Sequence, residues 1–213
     1  MIDIFRMKVE GWMAKLLSFA GRVELVKTVL LSYLSYWVQS YKVSCTISNE
    51  LERISSNFVW NGKIHAWSWN SMCKPKREGG LELRRVQDIA NAAGIKLVWR
   101  LFTSNSLWAK WMNEKYVKDT PITELTCSSL DSGTWKFIVQ SKNKALLHMK
   151  KIIGDGCDTS LWYDPWLQNG NLINLTGLNS PPVLSKHWRV SDIIDNGTWS
   201  LHEHALQICR DII

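Results

Sequence analysis

Trp67–Arg85, WSWNSMCKPKREGGLELRR, joins two tryptophans to a basic turn broken by Gly79 and Gly80. Pro75 lacks a backbone donor and two consecutive glycines have poor helix propensity, so no helix crosses this connection. Apolar and polar residues alternate from His65 to Trp69, which predicts a short strand or an extended loop leading into the turn. The turn therefore separates two helical stretches.

On its upstream side, Ile2, Phe5, Val9, Trp12/Met13 and Leu16 recur at three-to-four-residue steps and predict an opening helix. Ser18 is placed to cap the next helix, whose Val23, Val26, Leu30, Leu34 and Trp37 carry it to about Tyr41. Ser48 is read as the cap of a third helix bearing Leu51, Ile54 and Phe58, stopped by Asn61-Gly62. Downstream, Val86, Ala90, Ala93, Leu97 and Leu101 form one stripe, and a shorter helix carries Leu107, Trp108, Trp111 and Met112.

Residues 119–134 are rich in turn formers and predict a linker between a helical subdomain, 1–118, and a smaller α+β subdomain, 135–213. The second subdomain opens with a helical stretch bearing Trp135, Ile138, Leu146 and Leu147. A β-hairpin is expected over 152–163, a loop over 167–190, and a last helix from the capping box Ser200-x-x-Glu203. The fold class read from these patterns is mainly α, a helical bundle followed by a small α+β part.

The chain of 213 residues carries a formal charge of +7. Residues 1–100 hold 15 Lys/Arg against 8 Asp/Glu, whereas 101–213 hold 11 against 11, so the excess sits in the first half. Lys136 to Lys151 adds five lysines and no acid, giving an anionic partner a second patch. The apolar run Thr28 to Val38 is too short to span a bilayer and no cleavable leader opens the chain, which points to a soluble intracellular protein. Its five cysteines (45, 73, 127, 157, 209) have no zinc-site spacing and read as reduced thiols.

No Asp-Asp pair, Gly-x-Ser-x-Gly motif or phosphate-binding glycine loop is present, so no catalytic residue, metal ligand or cofactor is assigned. Asp155 and Asp158 near His148 resemble a nuclease set only loosely, since Asp155-Gly156 serves equally as a turn. His202 and His204 fall on different faces of the last expected helix. The remaining chemistry is binding. Lys74, Lys76, Arg77, Arg84 and Arg85 surround the turn, and such a set can hold phosphates through charge-assisted contacts, with Lys15, Arg22 and Lys27, in or near the turn-over of the first helix, adding to the surface. Of the 13 tryptophans, Trp12, Trp37, Trp99, Trp108 and Trp111 fall at helical apolar positions and are read as core, Trp162 and Trp166 as packing the hairpin. Trp67 and Trp69, beside the cations, are the pair suited to base stacking.

Taken in chain order, WMAKLLSFAGR (12–22), the tryptophan and Gly-Gly block, Asn91, Trp99-Arg100 and IGDGCDTSLWYDPW (153–166) resemble the region after the polymerase domain of plant LINE-type (non-LTR) retrotransposon reverse transcriptases. The resemblance covers nearly the whole chain. It implies a thumb and connection that grip RNA or an RNA–DNA hybrid beside a catalytic palm, in the nucleus. Mg2+ would belong to the palm of a complete parent polymerase, and the family's downstream Cys/His zinc segment has no counterpart here. A fragment, or a relic without activity, is the expectation. Glu82 departs from the family, which has a small residue at that place. The alternative from another class is a helical protein-interaction module whose aromatic faces meet a protein partner.

Overall fold

A computed structural model describes residues 2–12, 16–39, 42–118, 120–195 and 197–199. The chain is mainly helical, and its strands among these residues form one two-stranded antiparallel sheet. It divides into two compact units, Met1–Leu97 with Leu130–Ile138, and Val98–Ser129 with Val139–Ile213. No helix among the described residues is long and apolar enough to cross a membrane.

In the first unit, α1 (Ile2–Glu10) buries Phe5 and lies against α4 (Cys45–Trp60). Ser18 caps α2 (Phe19–Leu25) as its sequence position predicts, its hydroxyl accepting from the Gly21 amide at 3.1 Å. Between α2 and α3 (Leu31–Val38) the backbone widens into a π turn, Val26–Leu30. The wider turn brings Val26, Leu30, Leu31 and Leu34 into the core together. The cap of α4 is Ser44, which accepts from the Ile47 amide at 3.3 Å, and not Ser48. Ser48 is instead buried one turn in, its hydroxyl facing Gln87 Oε1 at 3.4 Å. Asn61 ends α4 with φ 53°, and the Gly62 amide returns to the Asn57 carbonyl at 3.1 Å, the closing bond of a left-handed C-cap.

Leu51, Ile54, Phe58 and Val59 of α4 meet Leu30, Leu34 and Val38 in one buried cluster. The short α5 (Trp69–Met72), capped by Ser68, adds Met72, and Leu83 enters from beyond the Gly-Gly turn. Glu52 of α4 then accepts the Val86 amide at 2.8 Å, satisfying an orphan donor where α6 (Val86–Thr103) begins. Residues 65–68 form a loop with a bend at Ala66 and Trp67 and no strand, because the Ser68 cap starts a helix inside the alternating pattern.

In the second unit lie the end of α6, α7 (Leu107–Met112) with a following π turn, and the later part of α8 (Gly133–Leu146). Within residues 119–134, a 3-10 turn at Ile122–Glu124 buries Ile122, and Lys142 donates to the Thr123 and Leu125 carbonyls, both at 2.6 Å. Burial lowers the pKa of Lys142. Strands form at β1 (Ile194–Asp195) and β2 (Thr198–Trp199), with Ile194 facing Trp199, and not over 152–163. Asp155-Gly156 does turn the chain, with the Cys157 amide donating to Asp155 Oδ1 at 3.0 Å. Thr159 and Leu161 then pair with a distant segment: the Leu161 amide donates to the Trp188 carbonyl at 3.0 Å and the Val190 amide to Thr159 at 2.9 Å. A side chain at Gly156, φ +81°, would stand 2.7 Å from the Ser191 nitrogen, so this approach needs glycine.

Trp162 and Trp166 are buried with Leu161, Tyr163, Leu172 and Val190, and each indole N–H finds a carbonyl: Ser185 at 3.0 Å and Leu161 at 2.9 Å. Asp164 Oδ2 accepts from the Ser160 amide and from Lys151 Nζ, each at 2.8 Å. The conspicuous 153–166 motif is thus the frame of this unit's core. Within the region read as loop, α9 (Leu172–Thr176) forms and ends on Gly177. The helix expected from Ser200, with His202, His204 and Cys209, lies outside the described residues.

Arg53 and Arg6 both hydrogen-bond Glu50 and hold its carboxyl down at about 2. A depressed carboxylate contributes stability above its unfolded value, about 4.3, that is lost as pH falls toward about 2. Denaturant titrations from pH 6 to pH 2 should show the wild type losing stability relative to Glu50→Gln below about pH 4.3. Parallel curves for the two proteins across that window would remove Glu50 from the α1–α4 contact.

Candidate nucleic-acid interface

The basic turn is closed by backbone bonds that leave its side chains outside. The Leu81 amide donates to the Met72 carbonyl at 2.8 Å, Glu82 to Lys74 at 3.0 Å and Gly80 to Pro75 at 3.1 Å. Between them Lys76–Glu78 forms a 3-10 turn that ends on Gly79. Gly80 is buried so tightly that a Cβ would come 1.9 Å from the Lys74 carbonyl oxygen. Met72 and Leu83 anchor the two ends of the turn in the core.

Against this turn runs a groove of about 700 Å³, lined by Lys74 and Pro75, by Leu83, Arg84 and Arg85, by α6, and by Ser35, Val38 and Gln39 at the end of α3. Arg85, Asp88, Ile89, Ala92 and Lys96 fall on one helical face, which brings Lys96 to the same groove. Four cations, Lys74, Arg84, Arg85 and Lys96, thereby outnumber the two acids, Glu82 and Asp88. Lys74, Arg84 and Lys96 make no ion pair among the described residues. Cys73 also lines the groove, and burial, aided by Glu52, pushes its thiol up to about 12, which keeps it protonated and unreactive.

Other residues singled out by sequence fare differently. Lys76 and Arg77 project from the 3-10 turn into solvent, Arg77 Nε lying 3.9 Å from Glu78. Lys27 stands 3.9 Å from Glu82. Arg22 is not a surface cation: its guanidinium donates to the Val59 and Leu17 carbonyls, both at 2.7 Å, and so ties the start of α2 to the end of α4. Lys15 lies outside the described residues. Trp67 is 48% exposed and open to a ligand, but Trp69 packs on the core with its buried indole N–H lacking a hydrogen-bond partner among the described residues. Lys96 was missed by sequence reasoning, although its eleven-residue offset from Arg85 marks the shared helical face.

Two rings expected in the core, Trp99 and Trp111, are 48% and 50% exposed. Lys115 sits over Trp111 at 4.8 Å, a cation–π contact that the helical pattern does not reveal. Among the described residues no three His, Cys, Asp or Glu side chains are grouped to hold a metal ion.

The chain is similar to an Arabidopsis thaliana protein whose name describes it as a ribonuclease H protein, with 32% identity over 185 residues. The match takes in 82% of this chain but spans only 30% of that relative's length. A second similar protein, an uncharacterized mitochondrial protein of the same plant, is 23% identical over 141 residues, 63% of this chain and 92% of the relative. No family model matches the chain, and no solved structure matches it significantly.

Glu82 has φ +56°, a left-handed conformation that costs an L-residue roughly 1–2 kcal/mol. Its distant contact with Lys27 recovers little, since exposed pairs are worth about 0–1 kcal/mol. Glu82→Gly should therefore raise stability by about 1 kcal/mol, seen as a Tm higher by several degrees in thermal melts. A Tm equal to or below that of the wild type would mean that contacts of the Glu82 side chain outweigh its strain.

Proposed function

We propose that this chain is a post-palm piece of a plant non-LTR retrotransposon reverse transcriptase whose first unit binds the phosphates of a template–primer duplex without copying it. The observation that carries this reading is the groove beside the Gly-Gly turn, where Lys74, Arg84, Arg85 and Lys96 converge, with Lys76 and Arg77 exposed on the turn that follows Pro75. Phosphate oxygens are the ligand such a set suits. Arginine forks match them in two-point contacts, and each cation engaged releases condensed counterions. Similarity to two plant proteins along most of the chain is consistent with an origin in a transposable element.

Ribonuclease H action belongs to the name of one relative, and three or four convergent carboxylates would be needed for it here. Asp155 is instead committed to a turn and Asp164 to Lys151 and the Ser160 amide. The role assigned is binding, with polymerisation left to a palm on the parent protein.

An RNA–DNA hybrid duplex titrated with the chain at rising salt tests the proposal. Affinity should fall steeply with salt, and Lys76→Ala combined with Arg77→Ala should flatten the log–log slope by roughly 0.9 per cation removed. Binding indifferent to salt, or a slope unchanged by the double substitution, would favour an aromatic protein interface over a phosphate grip.

A further inference from the structure

The second unit carries a larger and more aromatic cleft, of about 1130 Å³, and every residue lining it belongs to that unit. It exceeds the roughly 300–1,000 Å³ typical of small-molecule pockets and is open, which suits an elongated ligand. Trp99, Phe102 and Thr103 enter it from one face of α6, at positions i, i+3 and i+4. Trp99 is 48% and Phe102 40% exposed, so two aromatic faces stand in the cleft uncovered by the unit's own chain.

Charge on the walls is asymmetric. Glu124 is engaged by the Tyr163 hydroxyl at 2.7 Å, and Asp164 by Lys151 at 2.8 Å, leaving Asp158 as the acid without such a partner. Lys118, Lys150 and the pair Lys186 and Arg189 come from three separate stretches of sequence to the same cleft. None of these four makes an ion pair among the described residues.

We infer that this cleft binds a single strand of nucleic acid, with bases against Trp99 and Phe102 and phosphates on Lys118, Lys150, Lys186 and Arg189. Exposed rings interleaved with unpaired cations form the stacking platform and electrostatic channel that single strands use. An acidic protein segment would satisfy the cations but has no use for two bare aromatic faces. The cleft and the first unit's groove share no residue and take different forms of nucleic acid, so either site can exist without the other.

Fluorescein-labelled oligo-dT and oligo-U of about 15 nucleotides, a length near the upper site size of one single-strand-binding fold, are titrated against the full 213-residue chain. Trp99→Leu should weaken binding on the order of tenfold, and Trp99→Phe, which keeps a ring, should recover most of it. Lys150→Gln with Lys186→Gln, neither of them a core residue, should flatten the salt slope by about 0.7 per charge removed. Lys76→Ala with Arg77→Ala should leave single-strand binding nearly intact, which separates this site from the duplex groove. Binding unmoved by the Trp99 and lysine changes, lost only with Lys76 and Arg77, or displaced equally well by poly-glutamate would each overturn the inference.

Discussion

Closure of the basic turn depends on one steric fact: the Gly80 backbone approaches the Lys74 carbonyl more closely than any side chain permits. That approach sets up the bonds of Leu81 to Met72 and Glu82 to Lys74, which return the chain to the core at Leu83 and start α6. With the amides of Glu78 to Glu82 paired within the turn, Lys74, Lys76 and Arg77 are the cations it presents, beside Glu78 and Glu82. Position and charge are thereby set by the same residues. The φ of +56° at Glu82 shows the strain that this path imposes on a nearby L-residue.

Long-range contact, rather than local pattern, decides the features that were illegible in the sequence. Caps and stops were readable: Ser18 begins α2, Asn61-Gly62 ends α4, and the stripe from Val86 to Leu101 is α6. Those signals act within one helical turn. Ser44 and Ser48 are chemically alike, and only the neighbour Gln87 makes the second a buried partner instead of a cap. The Asp155-Gly156 turn was visible, but the segment it pairs with runs from Trp188 to Ser191, far beyond the reach of a hairpin rule.

The same distinction governs the candidate binding residues. Lys74, Arg84 and Arg85 are neighbours in sequence and were legible as a set, whereas Arg22 looked equally exposed until the Leu17 and Val59 carbonyls claimed it. Helical apolar spacing placed Trp99 in the core, and its position among cations became apparent only when the walls of the second cleft were assembled. Composition counted the cations correctly. It could not say which ones converge, because convergence on the second unit joins stretches around residues 118, 150 and 186.

Gly80→Ala tests most directly the proposal that geometry, and not net charge, makes the first unit grip phosphates, because it leaves the charge unchanged and disturbs the close approach that positions Lys74. Hybrid-duplex affinity is measured at fixed low salt, with far-UV circular dichroism confirming that the helices persist. The expected result is an affinity lower by about tenfold, the equivalent of roughly 1.4 kcal/mol. Affinity equal to that of the wild type would contradict the central claim and reduce the groove to an ordinary basic surface.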